Sequence, residues 1–387
     1  MEPSALRVAI FSGNYNYVRD GANQALNRLV GYLLRCGVQV HIYSPTTDTP
    51  DFPPTGDLVS VASIPMPFGR GEYHVARGLT RAAKRDLDRF QPNIVHVSAP
   101  DILGHRAISW ARARNIPVIA SMHTRFETYL RYYGLAFLEP ALLAILRRFY
   151  RRCDAVVAPS ETIAQLMREQ RMSYNIGIWA RGIDTNIFNP GQRDLDWRRA
   201  RGIADDEPVI GFLGRLVMEK GLHVFCEAID QLRARNVRHT VLVIGEGPAR
   251  GWFEKRLRNG IFVGFQSGQD LGRAAASMDM LFNPSTTEAF GNVTLEAMAC
   301  GIPVVAAWAT GSDNLVTDGV TGSLVTPGGI SGFADALQSY CEDADLRKRA
   351  GVAGELASRA YDWDIVNQSV LDQYLRLAHE LGVAERV

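Results

Sequence analysis

The stretch MLFNPSTTEAFGNVTLEAMACG, residues 280–301, changes character twice. Residues 280–283 form a short apolar run that suits a buried strand. A polar loop follows, and then a helical pattern begins just after Gly291. Glu288 falls in the loop and Glu296 on the helix. Each carboxylate accepts two hydroxyl hydrogen bonds, as sugars and ribose require. Glu296 has Leu, Ala and Met for neighbours, where an unpaired buried charge is costly. It must either face water or have a dedicated partner. Gly291 suits close approach of a ligand to the backbone at a helix start.

The same strand–turn–helix grammar runs outward in both directions. Upstream, residues 208–213 read as a strand and 221–235 as a helix, joined by Gly214-Arg215-Leu216-Val217-Met218-Glu219-Lys220-Gly221. Arg215 and Lys220 there gather two cations at a helix N-terminus, an arrangement suited to a diphosphate leaving group. Residues 240–244, 261–263 and 303–306 are further strands.

The first half repeats the pattern. Strands are expected at residues 6–12, 38–44, 94–98, 117–122, 155–158 and 176–179, with helices at 22–36, 77–90 and 105–114. Continuous Val- and Ile-containing runs fit parallel strands buried on both faces, and the alternation gives a doubly wound α/β sheet. Gly13 follows the first strand and Gly21 opens the next helix, where a phosphate can approach backbone N–H groups. Gly, Asn, Pro and charges over residues 181–206 read as a linker. The expected domains are therefore 1–190 and 191–364, with the last helix, within 365–387, packing on either.

The chain has 387 residues, 47% hydrophobic and 21% charged. That excludes a disordered chain or a small disulfide scaffold. The net charge of +1 lacks the basic excess of a nucleic-acid binder. It hides an asymmetry: residues 1–190 hold 22 Lys+Arg against 15 Asp+Glu, and the remainder 20 against 26. A basic first half favours an anionic partner, phosphate or a membrane surface; a merely dipolar protein is the alternative. Cys36, Cys153, Cys226, Cys300 and Cys341 are scattered, which suits reduced thiols and a cytoplasmic location. No secretory signal and no membrane-spanning run are seen. Asp-x-Asp pairs occur, but none ends an apolar strand, and no zinc spacing is visible, so no metal is expected. Gly245-x-Gly247 continues to Gly251 one residue late for a dinucleotide fingerprint.

With these motifs in place, the chain resembles the retaining glycosyltransferases of family 4. These have the GT-B fold: two Rossmann-like, doubly wound α/β domains facing across a cleft. Glu288 and Glu296 match the family's Glu-x7-Glu; Arg215 and Lys220 match its Gly-Arg-x4-Lys-Gly. Gly245-Glu246-Gly247-Pro248 and residues 303–307 and 319–325 are also similar. The resemblance implies that Arg215 and Lys220 hold the diphosphate of a UDP- or GDP-sugar. Glu296 would bind the ribose and Glu288 the transferred sugar, with Phe290, Gly291 and Asn292 beside them. Gly13 and Gly21 would approach the diphosphate from the first domain. His123, after the strand at 117–122, matches the family's active-site histidine. No cofactor and no metal are implied, and no nucleic acid.

The acceptor side is read from residues 125–152. Six arginines there, against two glutamates, flank an apolar middle. Tyr129, Arg131, Tyr132, Tyr133, Arg147, Arg148, Arg151 and Arg152 would face an anionic membrane and a lipid or lipid-linked acceptor. The alternative is an amphipathic helix covering the sheet. The Tyr-rich segment also resembles bacterial lipid glycosyltransferases of the sulfolipid synthase and lipid mannosyltransferase type. The expectation is a cytoplasmic enzyme, peripheral on the inner membrane face. Its alternatives are a soluble acceptor, or a sugar-nucleotide epimerase or hydrolase of the same fold.

Overall fold

The structure is a computed structural model that describes residues 1–18, 21–65, 74–123 and 136–381. The chain divides into two compact units. One comprises Met1–Arg181 and the chain's end from Trp363, the other Gly182–Asp362.

The first unit is built on a seven-stranded sheet. In chain order its strands are β1 (Arg7–Phe11), β2 (Gln39–Ser44), β3 (Asp57–Ser60), β6 (Ile94–Val97), β7 (Val118–Ser121), β8 (Ala155–Ala158) and β9 (Ile176–Ile178). Their spatial order is β3-β2-β1-β6-β7-β8-β9, every pair parallel. A separate hairpin pairs β4 (Ser63–Pro65) with β5 (His74–Ala76). Side-chain alternation along β1 feeds two cores. Val8 and Ile10 pack with Leu26, Leu29 and Leu33 of the helix Gly21–Arg35, and with Val370 and Tyr374 of the last helix, Trp363–Glu380. Ala9 and Phe11 pack on the other face with Leu87, Leu103, Ile108 and Phe149. Burial on both faces explains why these strands read as unbroken apolar runs.

The second unit has a six-stranded parallel sheet of β10 (Val209–Leu213), β11 (Thr240–Ile244), β12 (Ile261–Gly264), β13 (Met280–Asn283), β14 (Val304–Ala307) and β15 (Gly322–Val325). The order is β12-β11-β10-β13-β14-β15, a doubly wound arrangement whose order reverses between β10 and β13. Phe212, Phe225, Phe253, Phe282 and Phe333 fill one face.

Three expectations shift. The helix expected from residue 77 begins at Arg81, because Thr80 caps it by accepting the Ala83 N–H and β5 occupies His74–Ala76. Residues 181–206 are not a loose linker. They carry a helix, Leu195–Arg199, whose buried Arg198 donates to Asp279 Oδ2 at 2.8 Å and to the Ser277 carbonyl at 2.9 Å. Arg193 donates to the other oxygen of Asp279 at 2.8 Å. This segment therefore belongs to the second unit, and the division falls at Gly182 rather than near Pro190. The last helix lies in the first unit: Asn367 accepts from Trp179 Nε1 at 3.2 Å, and Ser369 donates to the Ile178 carbonyl at 2.8 Å. Among the described residues no helix is long and apolar enough to cross a membrane.

Candidate active site

In a doubly wound sheet, ligands bind beyond the carboxyl ends of the strands where the strand order reverses. In the second unit that point lies between the loops leaving β10 and β13, which are the two loops carrying the charged motifs. Gly214, the first residue after β10, takes φ 137°, which only glycine adopts readily. Gly214 N–H donates to Ile244 O, and Leu216 N–H to Glu246 O. A side chain on Gly245 would collide with the Gly214 carbonyl. The glycines of Gly245-Glu246-Gly247 thus let two loops pack backbone to backbone and hold Arg215 outward. Arg215 is exposed and has no partner among the described residues.

Lys220 comes from the short turn Met218–Lys220 and pairs with Glu288 Oε1 at 3.0 Å, joining the β10 loop to the β13 loop. Glu288 is further held by its backbone, whose carbonyl accepts from Thr310 Oγ1 at 2.8 Å. Gly291, at φ 97°, caps the helix Asn292–Ala299; a side chain there would run into the Gly311 carbonyl. Phe290 is buried edge-on against Tyr361. Asn292 opens the helix and is exposed.

Glu296 lies one turn further on. It is half-buried, so its carboxyl meets water only in part, and no group among the described residues bonds it. Burial, and then the neighbouring Glu288, push its pKa up to about 8, so it keeps a proton at neutral pH. A protonated carboxyl both donates and accepts one hydrogen bond.

In the first unit, His123 lies just beyond β7, and its Nδ1 is 3.0 Å from Arg181 Nη2. Its Nε2 is buried with no partner among the described residues. Burial first, then Arg181 and His96, hold its pKa well below the usual histidine range. His96 is fully buried between Ser121 Oγ and Tyr374 OH and is structural. Gly13 follows β1 by one residue; a side chain there would strike the carboxylate of Asp101. Asp101 caps the helix Ile102–Arg112 by accepting the Gly104 N–H at 2.7 Å, and burial raises its pKa to about 6. Gly21 opens the helix Gly21–Arg35.

Sequence reasoning did not single out Arg181 or Asp101. Each lies within four residues of the end of a strand, β6 for Asp101 and β9 for Arg181, a looser form of the strand-end position that marked His123. Arg181 was obscured by its place in a segment read as a linker.

Tyr129, Arg131, Tyr132 and Tyr133 lie outside the described residues. Arg147 and Arg151 each donate at 2.9 Å to a backbone carbonyl, of Gln170 and Arg171, and Arg152 donates to Ser109 Oγ at 2.7 Å. Only Arg148 of these four has no partner among the described residues. Phe137, Leu138 and Ile145 are exposed on or beside the helix Glu139–Tyr150. Among the described residues no group of three or more His, Cys, Asp or Glu could hold a metal ion.

Two family profiles match the chain: Glycosyltransferase Family 4 over residues 19–187 and Glycosyl transferases group 1 over residues 207–343. A GDP-mannose-dependent alpha-mannosyltransferase of Mycolicibacterium smegmatis is 31% identical, over 95% of this chain and 97% of its own. The chain belongs to these glycosyltransferases. This glycosyltransferase is also 27% identical to the sulfoquinovosyl transferase SQD2 of Arabidopsis thaliana, over 94% of its own length and 73% of the relative's. It is 25% identical to the alpha-monoglucosyldiacylglycerol synthase of Streptococcus pneumoniae, over 82% and 75%. The fold matches that of a sucrose-phosphate synthase from Thermosynechococcus elongatus with a TM-score of 0.79 at 20% identity, covering 97% and 100% of the two chains. The architecture is therefore GT-B, with two Rossmann-like units.

Proposed function

We propose that this glycosyltransferase moves a hexose-type sugar, with retention, from a UDP- or GDP-sugar to a hydroxyl of a membrane lipid or lipid-linked glycan. The observation that carries the reading is Arg215, an exposed cation without a protein partner among the described residues, beside the Lys220–Glu288 pair and Glu296 at one sheet edge. Arg215 and Lys220 hold the donor diphosphate and offset the charge that grows as it departs. Glu296 binds the ribose, Glu288 the sugar, and Phe290, Gly291 and Asn292 border them. The acceptor hydroxyl attacks on the leaving-group face, the bond to the diphosphate oxygen breaks, and a donor phosphate oxygen takes the proton. No protein base and no metal are needed. The names of the alpha-mannosyltransferase and alpha-monoglucosyldiacylglycerol synthase support an alpha product, and the latter also supports a lipid acceptor.

The direct test incubates the dialysed enzyme, in excess chelator, with nucleotide sugars and diacylglycerol-type acceptors in vesicles. Transfer to lipid with the anomeric configuration kept is expected. Inversion, a need for added divalent metal, or free sugar at full rate without acceptor would overturn the reading.

Protonation of Glu296 makes its isosteres informative. At pH 7 Glu296→Gln should bind nucleoside diphosphate about as well as wild type, since an amide also donates and accepts. Glu296→Ala should lose roughly tenfold. Above pH 8 the wild type ionises beside the diphosphate and should weaken, while the Gln variant should not. Calorimetry across pH 6–9 reads this; equal weakening of both variants at pH 7 would contradict it.

The membrane face is assigned to the exposed apolar residues rather than to all four arginines. Leu138, Ala141, Ile145 and Arg148 recur at helical spacing and all are exposed, with Phe137 beside them. We place this face on the inner surface of the cell membrane, peripherally. Phe137→Ser with Ile145→Ser should release the enzyme from phosphatidylglycerol vesicles, each side chain being worth roughly 1.5–3 kcal/mol when buried. Arg148→Gln should cost about 1 kcal/mol, and only on anionic lipid. Co-sedimentation measures both, and binding unchanged by the paired substitution would point to a soluble acceptor.

A further inference from the structure

β7, β8 and β9 are neighbours, so the residues following β7 and β9 stand on either side of the end of β8. His123 follows β7 and Arg181 follows β9. The Arg181 guanidinium reaches across to place Nη2 3.0 Å from His123 Nδ1. Trp179 steadies both partners. The His123 ring meets its indole edge-on at 5.2 Å, and Arg181 Cζ lies 5.9 Å from its centroid. Trp179 is itself held by the last helix, through Asn367.

A guanidinium has five N–H donors, no acceptor, and stays charged. The contact therefore requires a lone pair on Nδ1, and a neutral imidazole in that state carries its single proton on Nε2. Nε2 is the buried nitrogen with no partner among the described residues. An N–H left unbonded there lacks the hydrogen bond that buried donors almost always have, and a ligand oxygen supplies it.

We propose that Arg181 is a positioning residue that fixes His123 as the neutral Nε2–H tautomer, so that His123 donates a hydrogen bond to an oxygen of the bound sugar and does not accept the acceptor's proton. The proposal rests on reading this edge as part of the transfer site. It agrees with the proton passing to the donor phosphate. Among the described residues the charged and titratable groups facing His123 are Arg181, from the segment after β9, and His96, from β6; both disfavour its cation, as burial does.

The test uses the full chain with 15N-labelled histidine, the His123 resonances being assigned by their loss in His123→Gln. Long-range proton–nitrogen spectra should show His123 as a single species, unprotonated at Nδ1 and protonated at Nε2, throughout pH 5.5–8. Arg181→Met removes the donor and should let Nδ1–H appear or the ring titrate near its ordinary pKa of about 6.5. Arg181→Lys restores a donor and should restore the single tautomer. The His96 signals, set by Ser121 and Tyr374, report that each variant is folded; if the Met variant is not, Arg181→Leu, which also lacks a donor, replaces it. In transfer assays Arg181→Met should lower kcat by roughly 10- to 100-fold, the scale felt when a metal-bound histidine loses its orienting partner. The Lys variant should recover most of that loss. An Nδ1–H tautomer in the wild type, ordinary titration near 6.5, or an unchanged tautomer in Arg181→Met would overturn the proposal. The spectra do not depend on turnover. A failed transfer reading therefore shows as correct spectra with no sugar transfer, and a failed tautomer assignment as wrong spectra with transfer intact.

Discussion

Arg215→Ala lowers affinity for the free nucleoside diphosphate by roughly 10- to 150-fold, because a charge-assisted hydrogen bond is worth about 1.5–3 kcal/mol. The expected result is sharp because Arg215 has no other task among the described residues. It is exposed and bonds no protein group there, so its removal leaves nothing buried and unpaired. Stability should stay within about 0.5 kcal/mol. Lys220→Ala is different in kind. It frees Glu288 from the one ion pair it makes among the described residues and leaves that carboxylate beside Glu296 without a counter-charge. The loss should therefore fall on turnover as well as on binding. Titration calorimetry with the diphosphate, at two salt concentrations, separates the cases. Arg215→Ala binding that matches wild type at both would remove the diphosphate from this edge.

Arg198→Met should lower the unfolding free energy by about 3–5 kcal/mol, the range for breaking a buried ion pair. Arg198 is fully buried, and its Nη atoms donate to Asp279, to the Ser277 and Glu207 carbonyls at 2.9 and 2.6 Å, and to Ala204 O at 3.2 Å. Methionine fills much of the volume but satisfies none of these oxygens. Asp279 keeps Arg193 and the Val209 N–H, so the loss should not exceed the upper end. Urea denaturation measures the change. A drop below about 1 kcal/mol would mean that residues 182–206 are not tied to the second unit as described.

The parts of the fold visible in the sequence are those buried on both faces. β1, β6, β7, β10 and β13 read as largely apolar runs because, apart from Arg7 at the start of β1, every residue in them is buried. β3 (Asp57–Ser60) and the hairpin of β4 and β5 were not legible. They are short and half-exposed, and β3 lies at a sheet edge, so little apolar patterning marks them. Arg147, Arg151 and Arg152 read as a basic surface in the sequence; in the structure each also places an N–H on a neighbouring oxygen, a contact the sequence does not show. A long side chain carries the same letter whether its head faces water or a carbonyl.

The residue types at the candidate site, and their grouping onto the loops after β10 and β13, follow from local order alone. A strand, a glycine turn and a helix must put Arg215, Lys220, Glu288 and Glu296 at carboxyl ends of strands. Their chemical states do not follow from it. Glu296 has its pKa pushed up to about 8 by burial and by Glu288, and Lys220 is paired because β10 and β13 are adjacent although 66 residues separate Leu213 from Met280. His123 became a donor only when the end of β9 brought Arg181 to its Nδ1. Burial and long-range pairing set pKa, tautomer and counter-ion, and these depend on distances through space that sequence spacing does not encode.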